Sequence, residues 1–179
     1  AGKPVQAEMG GQNPAIVLPD ADLELVSTHL AQAAMGFAGQ KCTATRRVIA
    51  VGDAGRVAAV REALIAGVER LTPDDPGRDG VLVGPLITAD ARSNLFDAIA
   101  RAQHAGRVLH GGGALDRDGW FVAPAIIDAI PAHDALLTEE TFAPLVAVQD
   151  ACGALQQQDG AAPAQLAQAP CLVQVQQRE

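Results

Sequence analysis

Short apolar runs alternate along this chain with longer segments of helical periodicity, and this alternation constrains the fold more than any other feature. Residues 15–18 are all apolar, as expected for a strand buried on both faces of a parallel sheet. The segment from about Asp22 to Met35 then has apolar residues at helical spacing, with Asp20 as a candidate N-cap. Residues 46–51 follow with the β-branched content of a second strand.

The same alternation continues to about residue 150. One helix is predicted from Gly55 to Leu71, and another opens at Thr88 and closes at Gly106 in a left-handed C-cap. The remaining segments are a loop at 72–80, a predicted strand at 107–109 and an apolar segment at 125–130. This order predicts an α/β fold with a mainly parallel sheet and flanking helices.

Composition divides the chain at Asp150. We predict one domain over residues 1–150 and a separate tail over residues 151–179, which hold eight glutamines and seven alanines. Pro163 and Pro170 interrupt any long helix in this tail, so its structure is left open.

Charge and cysteine usage exclude several classes of function. The net charge of −8 argues against a nucleic-acid partner, and no apolar run of about 18 residues is available to span a membrane. The cysteines at 42, 152 and 171 and the four histidines show no metal-ligand spacing, so no metal is expected. The odd cysteine number and the lack of a visible signal peptide favour the reducing cytoplasm.

Glu8 and Cys42 form the first candidate constellation. Each lies in a glycine-containing turn, and one strand-helix unit separates them, so they could meet as a base and a nucleophile. Alone, Cys42 would more often be an inert buried thiol and Glu8 a solvated or turn-capping acid. The glycines at 111–113 are interpreted as a flexible turn rather than a phosphate loop.

Three ordered motifs resemble the aldehyde dehydrogenase superfamily over residues 1 to about 149. They are a glutamate before Gly-Gly at Glu8, a "GQxC" loop at residues 39–42, and an "EExFGP"-like segment at residues 139–144. Ala143 replaces the family glycine, and Gln12 replaces the usual lysine. The stretch "GFAGQKCTATRRVI" is most similar to members that oxidise semialdehydes of sugar-acid and dicarboxylate breakdown, such as α-ketoglutaric semialdehyde.

The resemblance implies NAD(P)-dependent oxidation of an aldehyde to its acid. Cys42 would attack the carbonyl and then hold the acyl group as a thioester, while Glu8 would activate the hydrolytic water and help to ionise Cys42. Glu140 and Phe142 would contact the nicotinamide end of NAD or NADP. Because in such sheets ligands gather beyond the carboxyl ends of the strands, we expect the Glu8 and Cys42 loops to converge there.

Two other classes of function stay open. The chain lacks the nucleotide-binding half that precedes the glutamate motif in the family, so the isolated chain is expected to be inactive. It is therefore either the catalytic portion of a longer homo-oligomeric enzyme or a non-catalytic remnant that serves binding or assembly. A third alternative is a cofactor-independent thioesterase or esterase that uses Cys42 and Glu8.

Overall fold

Five strands form one sheet in the computed structural model, which describes residues 2–7 and 9–151. The strands are β1 (Asn13–Val17), β2 (Thr45–Ala50), β3 (Arg107–His110), β4 (Ala125–Asp128) and β5 (Leu145–Asp150). Their order is β1-β2-β5-β4-β3, and every neighbouring pair is parallel except the antiparallel β3–β4 edge. The predicted α/β fold with a mainly parallel sheet is confirmed.

The predicted helices are present with small shifts. They are α1 (Leu23–Leu25), continued by a π-helical turn (Val26–Leu30) and α2 (Ala31–Met35), and then α3 (Ala54–Glu69) and α4 (Ala89–Ala105). The short helix α5 (Ala135–Thr138) was not predicted. Thr88 caps α4 as predicted, through a 3.1 Å bond from the Ala91 N–H to its hydroxyl. The N-cap of α1 is Asp22 and not Asp20, because the Asp22 carboxylate accepts the Glu24 N–H at 2.8 Å.

Gly106 ends α4, but the predicted left-handed conformation is wrong. Its backbone angles are φ −155° and ψ −125°. The glycine is needed for space instead, because a Cβ would lie 2.5 Å from the Asp128 carbonyl oxygen and 2.8 Å from that of Ala129. The chain therefore enters β3 in close contact with the end of β4.

A π-helical turn interrupts the first helical segment where α3 crosses it. A Cβ on Gly67 would overlap the Ser27 carbonyl oxygen and lie 2.9 Å from the Ala31 side chain. Arg70 donates a hydrogen bond of 2.8 Å to the Ser27 hydroxyl at the same crossing. The two helices thus approach closely only because α3 has glycine at this position.

A buried carboxylate at the end of β4 joins three elements through ion pairs. Asp128, at the end of β4, is 1% exposed and pairs with Arg61 of α3 and with Arg107 of β3, the latter at 3.0 Å. Pairing with two guanidinium groups offsets the cost of removing the carboxylate from water. No helix within residues 2–7 and 9–151 is long and apolar enough to cross a membrane.

Of the predicted tail only Ala151 is described; Glu8, Cys152 and Cys171 lie outside the described residues.

Candidate functional site

The loops that enter three parallel strands bring the candidate residues together. Asn13 opens β1, Cys42 lies three residues before β2, and Glu140 lies five residues before β5. Because these strands are parallel, the loops meet at the amino ends of the strands. The expected convergence at the carboxyl ends is therefore wrong; the loops at those ends instead lead from β1 into α1 and from β2 into α3.

Cys42 is an exposed free thiol on a tight turn. The turn is closed by a 3.1 Å hydrogen bond from the Ala44 N–H to the Lys41 carbonyl. The side-chain amide of Asn13 donates to the Cys42 carbonyl at 2.6 Å and to the Ala44 carbonyl at 3.0 Å. One amide group thereby fixes the main chain on both sides of Thr43 and leaves the thiol facing solvent.

Strained backbone precedes the thiol. Phe37, Ala38 and Gly39 are consecutive left-handed residues, with φ of 56°, 53° and 65°. Left-handed conformations cost roughly 1 kcal/mol or more for residues other than glycine, so surrounding contacts must stabilise this turn.

The Gln40 side chain provides contacts that hold this strained turn. It accepts the Ile87 N–H at 2.9 Å and donates to the Pro85 carbonyl at 3.3 Å. The main chain adds a 2.8 Å bond from the Phe37 N–H to the Leu82 carbonyl. The Lys41 ammonium lies over the exposed Phe37 ring, 5.2 Å from its centroid.

The Gly10-Gly11 turn lies between the thiol loop and Glu140. A Cβ on Gly11 would lie 3.5 Å from the Cys42 carbonyl oxygen, and a Cβ on Gly10 would overlap Oε2 of Glu140. Glycine at these positions lets the backbone approach both groups. Gln12 adds a hydrogen bond from its side-chain amide to the Glu139 carbonyl.

Glu140 has an unsatisfied oxygen. Its Oε1 is buried and has no hydrogen-bond partner among the described residues, although the residue as a whole is half-buried. A buried acceptor without a partner costs about 1–3 kcal/mol, so this oxygen is suited to accept a hydrogen bond from a ligand hydroxyl.

Phe142 stands at the rim of the same loop, 42% exposed and with φ of 48°. The residue that follows it, Ala143, is fully buried.

The buried side chain of Arg46 contacts both the loop that contains Cys42 and the loop that contains Glu140. It is 4% exposed; one terminal nitrogen donates to the Gly39 carbonyl and the other donates to the Ala143 carbonyl at 2.5 Å. Burial lowers the pKa of Arg46 from its ordinary value, and the Glu140 charge opposes that shift by raising it. Arg46 is thus a cation placed near Glu140.

A groove of about 320 Å³ extends from Glu140 along α4. Its polar lining comes from Asn94, Asp97 and Arg101 of α4 and from Glu139, Glu140 and Thr141. Within the described part of the chain, no cluster of three or more histidine, cysteine, aspartate or glutamate side chains could hold a metal ion.

The structure brings Cys42, Glu140 and Phe142 to one edge of the sheet, and it describes the Gly-Gly turn that follows Glu8 but not Glu8 itself. Asn13 and Arg46 were not predicted as functional residues from the sequence. A polar residue before the apolar run was a weak signal for Asn13, whereas nothing local distinguishes Arg46 from Arg47.

These features define a class of protein: an α/β domain whose strand-entry loops present an exposed thiol and a carboxylate on either side of one Gly-Gly turn. A sequence model of a protein family, described as "Aldehyde dehydrogenase family", matches residues 1–154 of the chain. The chain therefore belongs to the aldehyde dehydrogenase family.

Individual relatives agree with this assignment. A protein named 1-pyrroline-5-carboxylate dehydrogenase 2 from Halalkalibacterium halodurans is 34% identical over 149 residues, which are 83% of this chain and 28% of that protein. The chain thus spans less than a third of the length of this relative.

Solved structures of the same family share the fold. A Thermus 1-pyrroline-5-carboxylate dehydrogenase with bound NAD has 30% identity and a TM-score of 0.73, over 80% of this chain and 27% of that one. A Staphylococcus aureus betaine aldehyde dehydrogenase in complex with NAD+ has 28% identity and a TM-score of 0.74, over 84% and 31%.

Proposed function

We propose that this chain contributes the thiol-bearing part of an NAD(P)-dependent aldehyde dehydrogenase, with Cys42 as nucleophile and Glu8 as general base. One observation carries the proposal: the exposed Cys42 and the Glu140 carboxylate, whose Oε1 is unsatisfied, lie on either side of the Gly10-Gly11 turn. Family membership supports the same reaction class.

Cys42 performs the first covalent step. Its thiolate sulfur forms a bond with the aldehyde carbon, and the carbonyl oxygen takes up the negative charge. Loss of hydride from that carbon leaves a thioester on Cys42. Because Asn13 fixes the carbonyls of Cys42 and Ala44, the sulfur attacks from a defined direction.

Glu8 completes the turnover. Its carboxylate removes a proton from water, the resulting hydroxide attacks the thioester carbon, and the Cys42 thiolate leaves as the acid forms. Glu8 is separated from the Gly10-Gly11 turn by Met9 alone, and that turn lies against the Cys42 loop. This neighbourhood supports the assignment of Glu8 as the base.

Glu140 and Phe142 would hold the nicotinamide end of the dinucleotide. The buried Oε1 of Glu140 fits a ribose hydroxyl, since a donor there would satisfy the unpaired acceptor. The exposed Phe142 ring provides an apolar surface at the rim. When bound, the dinucleotide supplies the hydride acceptor.

The substrate belongs to the proposal too. We assign a small aldehyde, and within that class a semialdehyde, on the likeness of the Cys42 segment to semialdehyde-oxidising members. The full-length enzyme would act as a homo-oligomer, and its free thiol suits a reducing compartment such as the cytoplasm.

Rapid mixing tests the two catalytic roles in a polypeptide that joins this chain to a nucleotide-binding half. With a short semialdehyde and NAD, Glu8→Gln should retain a single burst of NADH absorbance while steady-state turnover falls by roughly 10²–10⁴-fold. Cys42→Ala should abolish the burst, because no thiohemiacetal can form. Glu62→Gln, an exposed change on α3, is the matched control and should leave both phases intact.

Other outcomes identify the rival classes. Undiminished turnover in Glu8→Gln would refute the base assignment. Hydrolysis of an activated ester at Cys42 without any aldehyde-dependent NADH formation would favour a cofactor-independent esterase. Retention of both activities in Cys42→Ala would refute Cys42 as the nucleophile, whereas absence of both in the parent would favour a non-catalytic role.

A further inference from the structure

Arg46 is a buried cation that contacts two loops distant in sequence. Its hydrogen-bond acceptors are both main-chain carbonyls: Gly39, seven residues earlier, and Ala143, 97 residues later. Gly39 lies three residues before Cys42, and Ala143 lies three residues after Glu140. One guanidinium group therefore contacts the thiol loop and the carboxylate loop at equivalent distances along the chain.

Core filling does not account for arginine at this position. Burying a guanidinium removes it from water, and an apolar side chain of similar volume is often as stable or more stable in such places. The Nε of Arg46 is also buried without a hydrogen-bond partner among the described residues, which adds to the cost. What arginine offers uniquely is a planar group whose separate nitrogens donate in fixed directions at once.

The geometry around Gly39 depends on the same contact. A Cβ on Gly39 would lie 2.9 Å from a terminal nitrogen of Arg46 and 2.7 Å from the Ala143 carbonyl carbon. The two loops and the guanidinium are therefore in direct contact, with no room for another side-chain atom. Glu140 contributes the opposing charge that helps Arg46 stay ionised in this position.

We propose that Arg46 is a positioning residue that sets the Cys42 loop against the Glu140 loop by holding the Gly39 and Ala143 carbonyls with one guanidinium group. We call this three-residue contact the Arg46 bridge. The catalytic meaning of the bridge rests on the proposed function, because it fixes the nucleophile relative to the group that would hold the dinucleotide. The bridge itself forms in the chain without substrate or dinucleotide.

Hydrogen exchange on the 179-residue chain tests the bridge directly. Two amides report on its two ends: the Gln40 N–H, bonded to the Phe37 carbonyl at 3.1 Å, and the Leu145 N–H, bonded to the Ala143 carbonyl at 2.7 Å. In Arg46→Met both amides should exchange about 3- to 10-fold faster, because each loop loses a hydrogen bond. Arg46→Lys keeps the positive charge but loses the planar guanidinium with its separate donor nitrogens. It should therefore restore protection at no more than one of the two amides.

Arg47 provides matched control substitutions. It is the next residue of β2, is half-buried, and donates to the Gln149 side chain at 2.8 Å. Arg47→Met and Arg47→Lys should leave both reporter amides within about twofold of the parent. Amides of β2 and α3 should keep their parental exchange in the Arg46 variants.

Chemical rescue separates positioning from simple loss of packing. In Arg46→Ala, millimolar methylguanidinium should restore the protection of both amides. Methylammonium has the same charge but lacks the planar group with separate donor nitrogens, so it should not restore protection. In the joined polypeptide, Arg46→Lys should slow the first hydride transfer about 10- to 100-fold with KM changed less than threefold.

Three results would overturn the bridge. They are unchanged exchange at both amides in Arg46→Met, faster exchange spread uniformly over the sheet, and equal rescue by the two cations. The exchange and rescue readouts need neither dinucleotide nor aldehyde, so they can fail while dehydrogenase activity is present, and the reverse also holds.

Discussion

The side-chain amide of Asn13 donates a 2.6 Å hydrogen bond to the main-chain carbonyl of Cys42, so the first residue of β1 holds the loop that enters β2. A second bond from the same amide reaches the Ala44 carbonyl at 3.0 Å. The segment that follows Glu8 is thereby attached to the segment that contains the thiol. This contact links the two sequence motifs physically.

Asn13→Asp should destabilise the fold and loosen the thiol loop. The substitution preserves the shape but replaces two donors with acceptors that face two carbonyl oxygens. We expect a loss of about 1–3 kcal/mol in the free energy of unfolding, measured by urea denaturation. Asn94→Asp, at an exposed position on α4, is the control and should change stability by less than about 0.5 kcal/mol.

Gly39→Ala should be among the more damaging single-methyl changes in this chain. Gly39 has φ of 65°, and a Cβ would press on Arg46 and on the Ala143 backbone. We expect a loss of about 2–3 kcal/mol by thermal or urea unfolding, from overpacking together with left-handed strain. Gly113→Ala, where no heavy atom lies within 4 Å, should be close to neutral. Equal stability of the two variants would contradict the contact.

Cys42 should be the most reactive of the three thiols. It is exposed on a polar turn next to Lys41, whereas no local motif accompanies Cys152 or Cys171. Substoichiometric iodoacetamide followed by peptide mapping should place most of the label on Cys42 in the native chain. Urea-unfolded protein, in which the three thiols should react alike, is the control. Preferential labelling of Cys152 or Cys171 in the native chain would refute the assignment.

Asp74 should make stability depend on pH in the acidic range. The Asp75 N–H, and after it the Arg117 guanidinium, lower the pKa of Asp74 below its ordinary value. The pKa of Asp74 is thus lower in the folded state than in the unfolded state. The stability that Asp74 contributes is therefore fully present above the unfolded pKa of about 4 and is lost as pH falls through the folded pKa.

Thermal unfolding measured from pH 6 to pH 2.5 checks the direction of this pH dependence. The parent should be more stable than Asp74→Asn at pH 6, and the difference should shrink below about pH 4. Asp79→Asn, in the same loop and exposed, should run parallel to the parent at every pH. A difference that grows on acidification would contradict the direction.

Local patterns predicted most elements because the interactions that encode them span only a few residues. Thr88 caps α4 through its hydroxyl and the N–H three residues later, and the apolar spacing of α3 follows one helical face. The N-cap of α1 was misassigned by two residues, since Asp20 and Asp22 present the same chemistry and only the backbone angles distinguish them.

Contacts between distant segments are not encoded in any local sequence pattern. Gly106 is required by the carbonyls of Asp128 and Ala129, more than twenty residues away, and not by its own backbone angles. The π-helical turn at Val26–Leu30 accompanies the close crossing of α3 at Gly67, so helical periodicity alone could not place it. Arg46 and Arg47 look alike in sequence, yet one lies beneath the two loops and the other bonds to Gln149.

The sequence by itself determined the alternation of strands and helices, the order of the three motifs and the candidate residues Glu8, Cys42, Glu140 and Phe142, because these depend on residue types and short spacings. Only the tertiary structure decided at which edge of the sheet the motifs meet. That choice depends on the direction of parallel strands paired across a hundred residues, as when Arg47 aligns with Ala147. The same long-range pairing brings the Gly39 and Ala143 carbonyls to a single guanidinium, and no local pattern specifies such a meeting.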